Sequence, residues 1–140
     1  MADLKDQMRR FNKEVFENGN LAAIDDLLTE DFIEHQAPPP GVELKPGREG
    51  VKEFLKPYFA AFTDWSTNID QLIQEGDTVV GHGHYTATHS GDFMGIPATN
   101  KRITVEGIDI VRFEGDRAAE HWGLLDSVSM LGQMGALPPM

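Results

Sequence analysis

An α+β fold is what this sequence predicts, with helices first and a curved antiparallel sheet wrapped over them. Three observations carry that expectation. Apolar residues recur at helical spacing through the first third of the chain. After Asp64 the composition turns to Ile, Val, Thr and aromatics in strand-length runs. The tripeptide "EGD", at 75–77 and again at 114–116, then punctuates those runs as hairpin turns do. Helical patterns followed by a meander of strands read as helices covering one face of a sheet.

Taken in order, Leu4, Met8, Phe11 and Val15 make residues 3–17 an amphipathic helix. "ENGN" ends it at Gly19, and Asn20 is placed to cap a short second helix carrying Leu21, Ile24, Leu27 and Leu28. A proline-rich loop follows, opening with a brief extended piece at Phe32 to His35. In "GREGVKEFLKPYFAAF" the residues Val51, Phe54, Leu55, Tyr58 and Phe62 share one helical face, with Pro57 inside the helix. Strands are expected at 65–75, 78–89, 102–113 and 118–126, with one long connection, "HSGDFMGIPATNK". The tail "SMLGQMGALPPM" reads as a short helix or an apolar segment docked on the domain.

At 140 residues the chain suits one domain, 1–140. It has 12 Lys and Arg against 23 Asp and Glu, a net charge of −11, so a phosphate backbone or an anionic membrane would repel it. Cysteine is absent, which excludes disulfides, thiolate metal sites and cysteine nucleophiles. No apolar run has the length of a membrane helix, and the first residues lack a signal-peptide core. A soluble, cytoplasmic protein is expected, without nucleic-acid or membrane partners.

The residues that invite chemistry lie in "GIDIVRFEGDRAAEHWGLLD", 107–126. Asp109 sits between Ile108 and Ile110, and His121 beside Trp122 and Gly123. A buried carboxylate costs several kcal/mol unless it is paired. If Phe113 pairs with Arg117 across a three-residue loop, Asp109 lies opposite His121, within reach of a hydrogen bond. With a two-residue loop, Asp109 faces Trp122 instead. Gly107 and Gly123 favour a cavity on that face. A buried structural Asp–His pair is the competing reading.

"GHGHYTATH" offers His82 and His84 on one face of a strand, a spacing that metal sites use, with His121 or Glu120 as a third ligand. Alternation on an exposed face produces the same spacing, and the set is incomplete, so no metal is expected. Tyr58 and Tyr85 are candidate hydroxyl donors, with core residues holding one satisfied oxygen as the competing reading. No serine elbow and no glycine-rich strand-to-helix turn is present, so acyl-enzyme chemistry and nucleotide binding have no support.

"DFIEHQAPP", "GREGVKEFLKPYFAAFTD", "QEGDTVVGHGHYTATHSGDFMGIPATNKRI" and the 107–126 hairpin together resemble the SnoaL-like polyketide cyclase family. The resemblance runs in order over nearly the whole chain. It implies the cone-shaped fold shared with nuclear transport factor 2 and ketosteroid isomerase, and one deep apolar pocket. It implies cofactor-free and metal-free acid–base chemistry, an intramolecular aldol closure of a polyketide ester with an aspartate as acid/base. Asp109 and His121 are this chain's ionisable residues on the pocket hairpin, His35 matches the family's histidine after the second helix, and His89 the one before the loop.

The expected function is therefore a cofactor-independent cyclase or isomerase acting on a small apolar or polyketide-like carbonyl compound, with Asp109 as base and His121 orienting it or shuttling the proton. The alternative is a non-catalytic binding protein with the same pocket; a metal-dependent hydrolase or oxygenase using His82 and His84 is the third reading. His35, Tyr58, Tyr85, His89, Phe93, Met94, Ile96, Trp122 and Asp126 are expected to contact the substrate, with 90–100 as a lid. By strand parity Ile108, Ile110, Trp122 and Leu124 lie on the other face, where a homodimer or homotetramer would bury them.

Overall fold

The computed structural model describes residues 3–137; the last three residues of the expected tail lie outside them. Helix α1, Leu4–Phe11, starts at an Asp3 cap whose carboxylate accepts the Lys5 N–H. It runs on as a π-helix over Asn12–Glu17. The wider turn carries Val15, fully buried, into the core and brings the Phe16 ring to 5.3 Å from that of Tyr85. A 3₁₀ turn, Leu21–Ala23, leads into the single-turn helix α2, Ile24–Leu27. The Asn20 side chain makes no cap there, contrary to the sequence reading.

Strand β1 spans Leu28–Glu34, longer than the expected piece and starting earlier. Helix α3, Gly47–Ala61, follows, and Phe62 opens strand β2, Phe62–Glu75, instead of closing the helix. Strands β3, Thr78–His89, β4, Arg102–Glu114, and β5, Arg117–Leu125, complete the sheet. Helix α4, Ser127–Gln133, settles the tail as helical.

The sheet order is β1-β5-β4-β3-β2. Strands β2 to β5 form an antiparallel meander, but β1 joins β5 in parallel, so the sheet is mixed and not purely antiparallel. A parallel neighbour requires a long crossover, which the loop, α3 and the meander supply. Register shifts in β2 and in the β4–β5 pair bend the sheet, as bulges do, so that it curves over the helices.

Two apolar clusters fill the concave side. One gathers Ile24, Leu28, Phe32, Phe54, Val79 and Phe113 beneath the helices. The other gathers Phe62, Ala87, Phe93, Ile103, Met130 and Met134 at the opposite end. Fully buried side chains such as Ile24 and Val15 each contribute roughly 1.5–3 kcal/mol. Tyr58 packs against both clusters and lies where they part. Arg48 ties α3 to β1 by donating to the Asp25 and Leu28 carbonyls at 3.2 and 3.3 Å. No helix among the described residues is long and apolar enough to cross a membrane.

Candidate active site

The β4–β5 hairpin turns through two residues, with Glu114 paired to Arg117 and Gly115 at φ 60° in the first central place. A bulge follows at once. Phe113 pairs with Ala118 but Arg112 pairs with Glu120, leaving Ala119 extra, and both alanines are buried. Asp109 is consequently paired with Gly123, opposite neither His121 nor Trp122 as the two loop lengths had suggested. The bulge adds one residue to the shorter turn and so restores the parity that puts Asp109 and His121 on one face. They meet on the diagonal, His121 Nε2 at 2.7 Å from Asp109 Oδ1.

The other ring nitrogen, Nδ1, lies 2.6 Å from Glu34 Oε1, and Asp109 Oδ2 accepts the Tyr85 hydroxyl at 2.9 Å. Four strands thus contribute one residue each: Glu34 from β1, His121 from β5, Asp109 from β4 and Tyr85 from β3. Burial by itself would lower the affinity of His121 for its proton, but hydrogen bonds and charge from Asp109 and Glu34 outweigh it and raise the pKa to about 9. At neutral pH the ring is an imidazolium donating to two carboxylates. Burial, and then the charge of Asp109 and the bond to it, push the Tyr85 phenol well above its usual range, so it remains a neutral donor.

These groups stand on the wall of a cavity of about 170 Å³. Its remaining lining is mainly apolar, with Met8 and Phe11 from α1, Phe54 and Tyr58 from α3, and Val105 and Val111 from β4. Burial pushes the Tyr58 phenol up as well. The two glycines singled out in the sequence do make space, but side chains fill it. A Cβ at Gly107 would stand 3.1 Å from the Tyr85 ring, and one at Gly123 would stand 2.6 Å from His121 Cε1. Each seats a member of the cluster.

Of the residues expected to contact substrate, Tyr58 and Tyr85 line the cavity with Asp109 and His121. The others are placed elsewhere. His35 follows the outward parity of β1, stacks flat on Trp122 with ring centroids 4.7 Å apart, and bonds Glu120 at 2.6 Å. Both rings therefore sit on the outer face. His89 is fully buried, yet its Nδ1 meets Thr99 Oγ1 at 3.0 Å and accepts the Thr99 N–H, so it anchors the following loop. Phe93 is buried against Tyr58 and Phe62 in the second cluster, Ile96 is backbone-paired to it, and Met94 is exposed. None of residues 90–100 lines the cavity. Asp126 caps α4 by accepting the Ser129 N–H.

His82 and His84 also point away from the cavity, bonded to Glu106 at 2.7 Å and Asp70 at 2.8 Å. His121 projects through the opposite face, so it supplies no third ligand to them. Glu34 is the residue the sequence reading missed. The signal was parity: with Phe32 buried, Glu34 faces inward and His35 outward.

The imidazolium makes stability pH-dependent. The folded state holds the His121 proton up to about 9, while an unfolded histidine releases it near 6.5. Between those values the folded chain binds more protons, so its stability falls as pH rises. The contribution is complete below pH 6.5 and is lost through about 9, a change of roughly 3 kcal/mol. Urea unfolding at pH 6 and pH 10 measures it, and His121→Asn should flatten the difference.

A curved five-stranded sheet over helices is the cone-shaped fold of nuclear transport factor 2-like proteins, and here a carboxylate–imidazolium pair faces a mainly apolar cavity. Residues 6–134 match the model of the SnoaL-like polyketide cyclases, and the chain belongs to that family. A candidate polyketide cyclase from Acidithiobacillus ferrooxidans shares 31% identity, with 96% of this chain and 95% of that chain covered and a TM-score of 0.84. TsrD from Streptomyces laurentii shares 28% over 98% and 100% of the two chains, with a TM-score of 0.83. IdmH from Streptomyces antibioticus, also a candidate polyketide cyclase, shares 28% over 96% and 99%, with a TM-score of 0.80. No curated protein matches the sequence.

Proposed function

We propose that the protein is a cofactor-independent acid–base enzyme of the cyclase or isomerase type, acting on a small apolar carbonyl compound of polyketide-like character. The observation that carries this is the placement of Asp109: a carboxylate on the wall of an apolar cavity, held by donors from His121 and Tyr85. In a cyclisation Asp109 takes the proton α to a carbonyl, and the enolate carbon bonds to a second carbonyl carbon. The alkoxide formed there recovers the proton from Asp109, so the carboxylate ends as it began. An isomerisation uses the same carboxylate, which returns the proton to a different carbon. The cavity is close in size to the ~150 Å³ engineered cavity that binds benzene. That suits a substrate body of roughly one or two rings. Exchange of the α-hydrogens of 2-tetralone in D₂O, followed by NMR, tests the reading. Saturable exchange well above the buffer rate supports it, and binding without exchange points to the non-catalytic alternative.

The active unit should be a homodimer or homotetramer. The outer sheet face presents Leu124 at 78% exposure, Ile33 at 48%, Ile108 at 47% and Trp122 at 38%. A contiguous apolar patch of this kind marks an association surface. Sedimentation at micromolar concentration should give at least twice the 15.5 kDa chain mass, and a lone 15.5 kDa species would rule it out.

A further inference from the structure

We propose that Glu34 is a positioning residue, which holds the far nitrogen of the His121 ring so that the ring stays protonated and its near nitrogen always donates to Asp109. This rests on Asp109 being the base and adds the residue that keeps the base ready.

With both neighbours ionised, the geometry admits one protonation pattern. His121 Nδ1 and Nε2 lie 2.6 and 2.7 Å from carboxylate oxygens of Glu34 and Asp109. A neutral imidazole has one donor and one acceptor, and an acceptor set against a carboxylate oxygen repels it. Only the doubly protonated ring satisfies both neighbours while both are carboxylates. Remove the charge at position 34 and the neutral ring becomes accessible, including the tautomer whose Nε2 lone pair faces Asp109. Asp109 would then bond to the ring only by carrying a proton itself, and a protonated carboxyl takes no proton from substrate.

Glu34 is held firmly enough for this. It is paired in register with His121 where β1 joins β5, and its Oε1 also accepts the Gln36 N–H at 2.9 Å. Its side chain is only 9% exposed. A carboxylate withdrawn from water costs several kcal/mol unless it is paired, and the imidazolium supplies the pairing. The groups facing the His121 ring are Glu34 from β1, Asp109 from β4 and, through Asp109, Tyr85 from β3. Glu34 is the one that touches the ring from the side away from Asp109.

The test follows the His121 ring by ¹⁵N NMR through a pH titration of the full chain, beside Glu34→Gln and Glu34→Asp, with 2-tetralone exchange measured on the same samples. The parent ring should titrate near 9. Glu34→Gln should bring it down by roughly 1–3 pH units. Glu34→Asp, which keeps the charge, should restore part of the difference. The alkaline limb of the exchange profile should move down with the ring titration. A purely structural Glu34 predicts a lower melting temperature with both curves unmoved. An unmoved titration overturns the proposal and leaves the Asp109 reading standing, and a moved titration with an unmoved alkaline limb also overturns it. No exchange by the parent at any pH overturns the Asp109 reading itself, and the positioning role with it. Should Glu34→Gln not fold, the parent decides alone, because a neutral single tautomer of His121 at pH 7.5 overturns the proposal.

Discussion

Asp109→Asn is expected to lower α-hydrogen exchange, and any cyclisation turnover, by roughly 10²–10⁴ while the fold survives. The amide has the shape of the carboxylate. Its oxygen still accepts the His121 Nε2–H, and its NH₂ group still meets the Tyr85 hydroxyl, so the cross-strand contacts persist. What disappears is the capacity to take a proton. Glu34 stays bonded to the ring, so the imidazolium is not stranded and the stability cost should be only roughly 1–3 kcal/mol. A structural Asp–His pair makes the opposite prediction, with heavy destabilisation and an unchanged rate per folded molecule. Melting temperature and exchange rate measured on one preparation separate the two.

Phe93→Ala is expected to cost roughly 3–5 kcal/mol, as truncating a buried phenylalanine does. Phe93 is 3% exposed, with its ring 5.3 Å from that of Tyr58 and 5.2 Å from that of Phe62. The backbone around it is fixed by the reciprocal Phe93–Ile96 bonds and by His89, which holds Thr99. Met94→Ala is the control: that side chain is 46% exposed, and its loss should stay within about 0.5 kcal/mol. Denaturant midpoints for the two variants read this directly. A lid predicts the reverse, with near-native midpoints and weakened binding of 2-tetralone. Any loss of binding in Phe93→Ala is expected to follow from Tyr58 losing its support, since Tyr58 lines the cavity and Phe93 does not.

Strand order along the chain, turn positions and the α+β class were legible because each rests on short-range pattern. Alternation from Thr78 to His89, glycine-first turns and the apolar spacing of α3 act over a few residues. The pairing of Asp109 with His121 was legible for a narrower reason. A two-residue turn alone would have put the two side chains on opposite faces, and the extra residue of the bulge offsets it, so the contact formed although the register assumed for it did not. Glu34 was missed and His35 chosen in its place, although burial of Phe32 by the same alternation marks Glu34 as inward. His89 and Phe93 were read as pocket residues because residue type does not tell a buried anchor from a cavity wall.

By itself, then, the sequence determined the order of helices and strands along the chain, because that order follows from local periodicity. Only the tertiary structure decided that β1 returns beside β5 in parallel and brings Glu34 to the far side of the His121 ring. The contact joins residues 87 positions apart. It exists because the curved sheet leaves β5 an open edge for β1, and Arg48 on α3 holds the start of that strand by its Leu28 carbonyl.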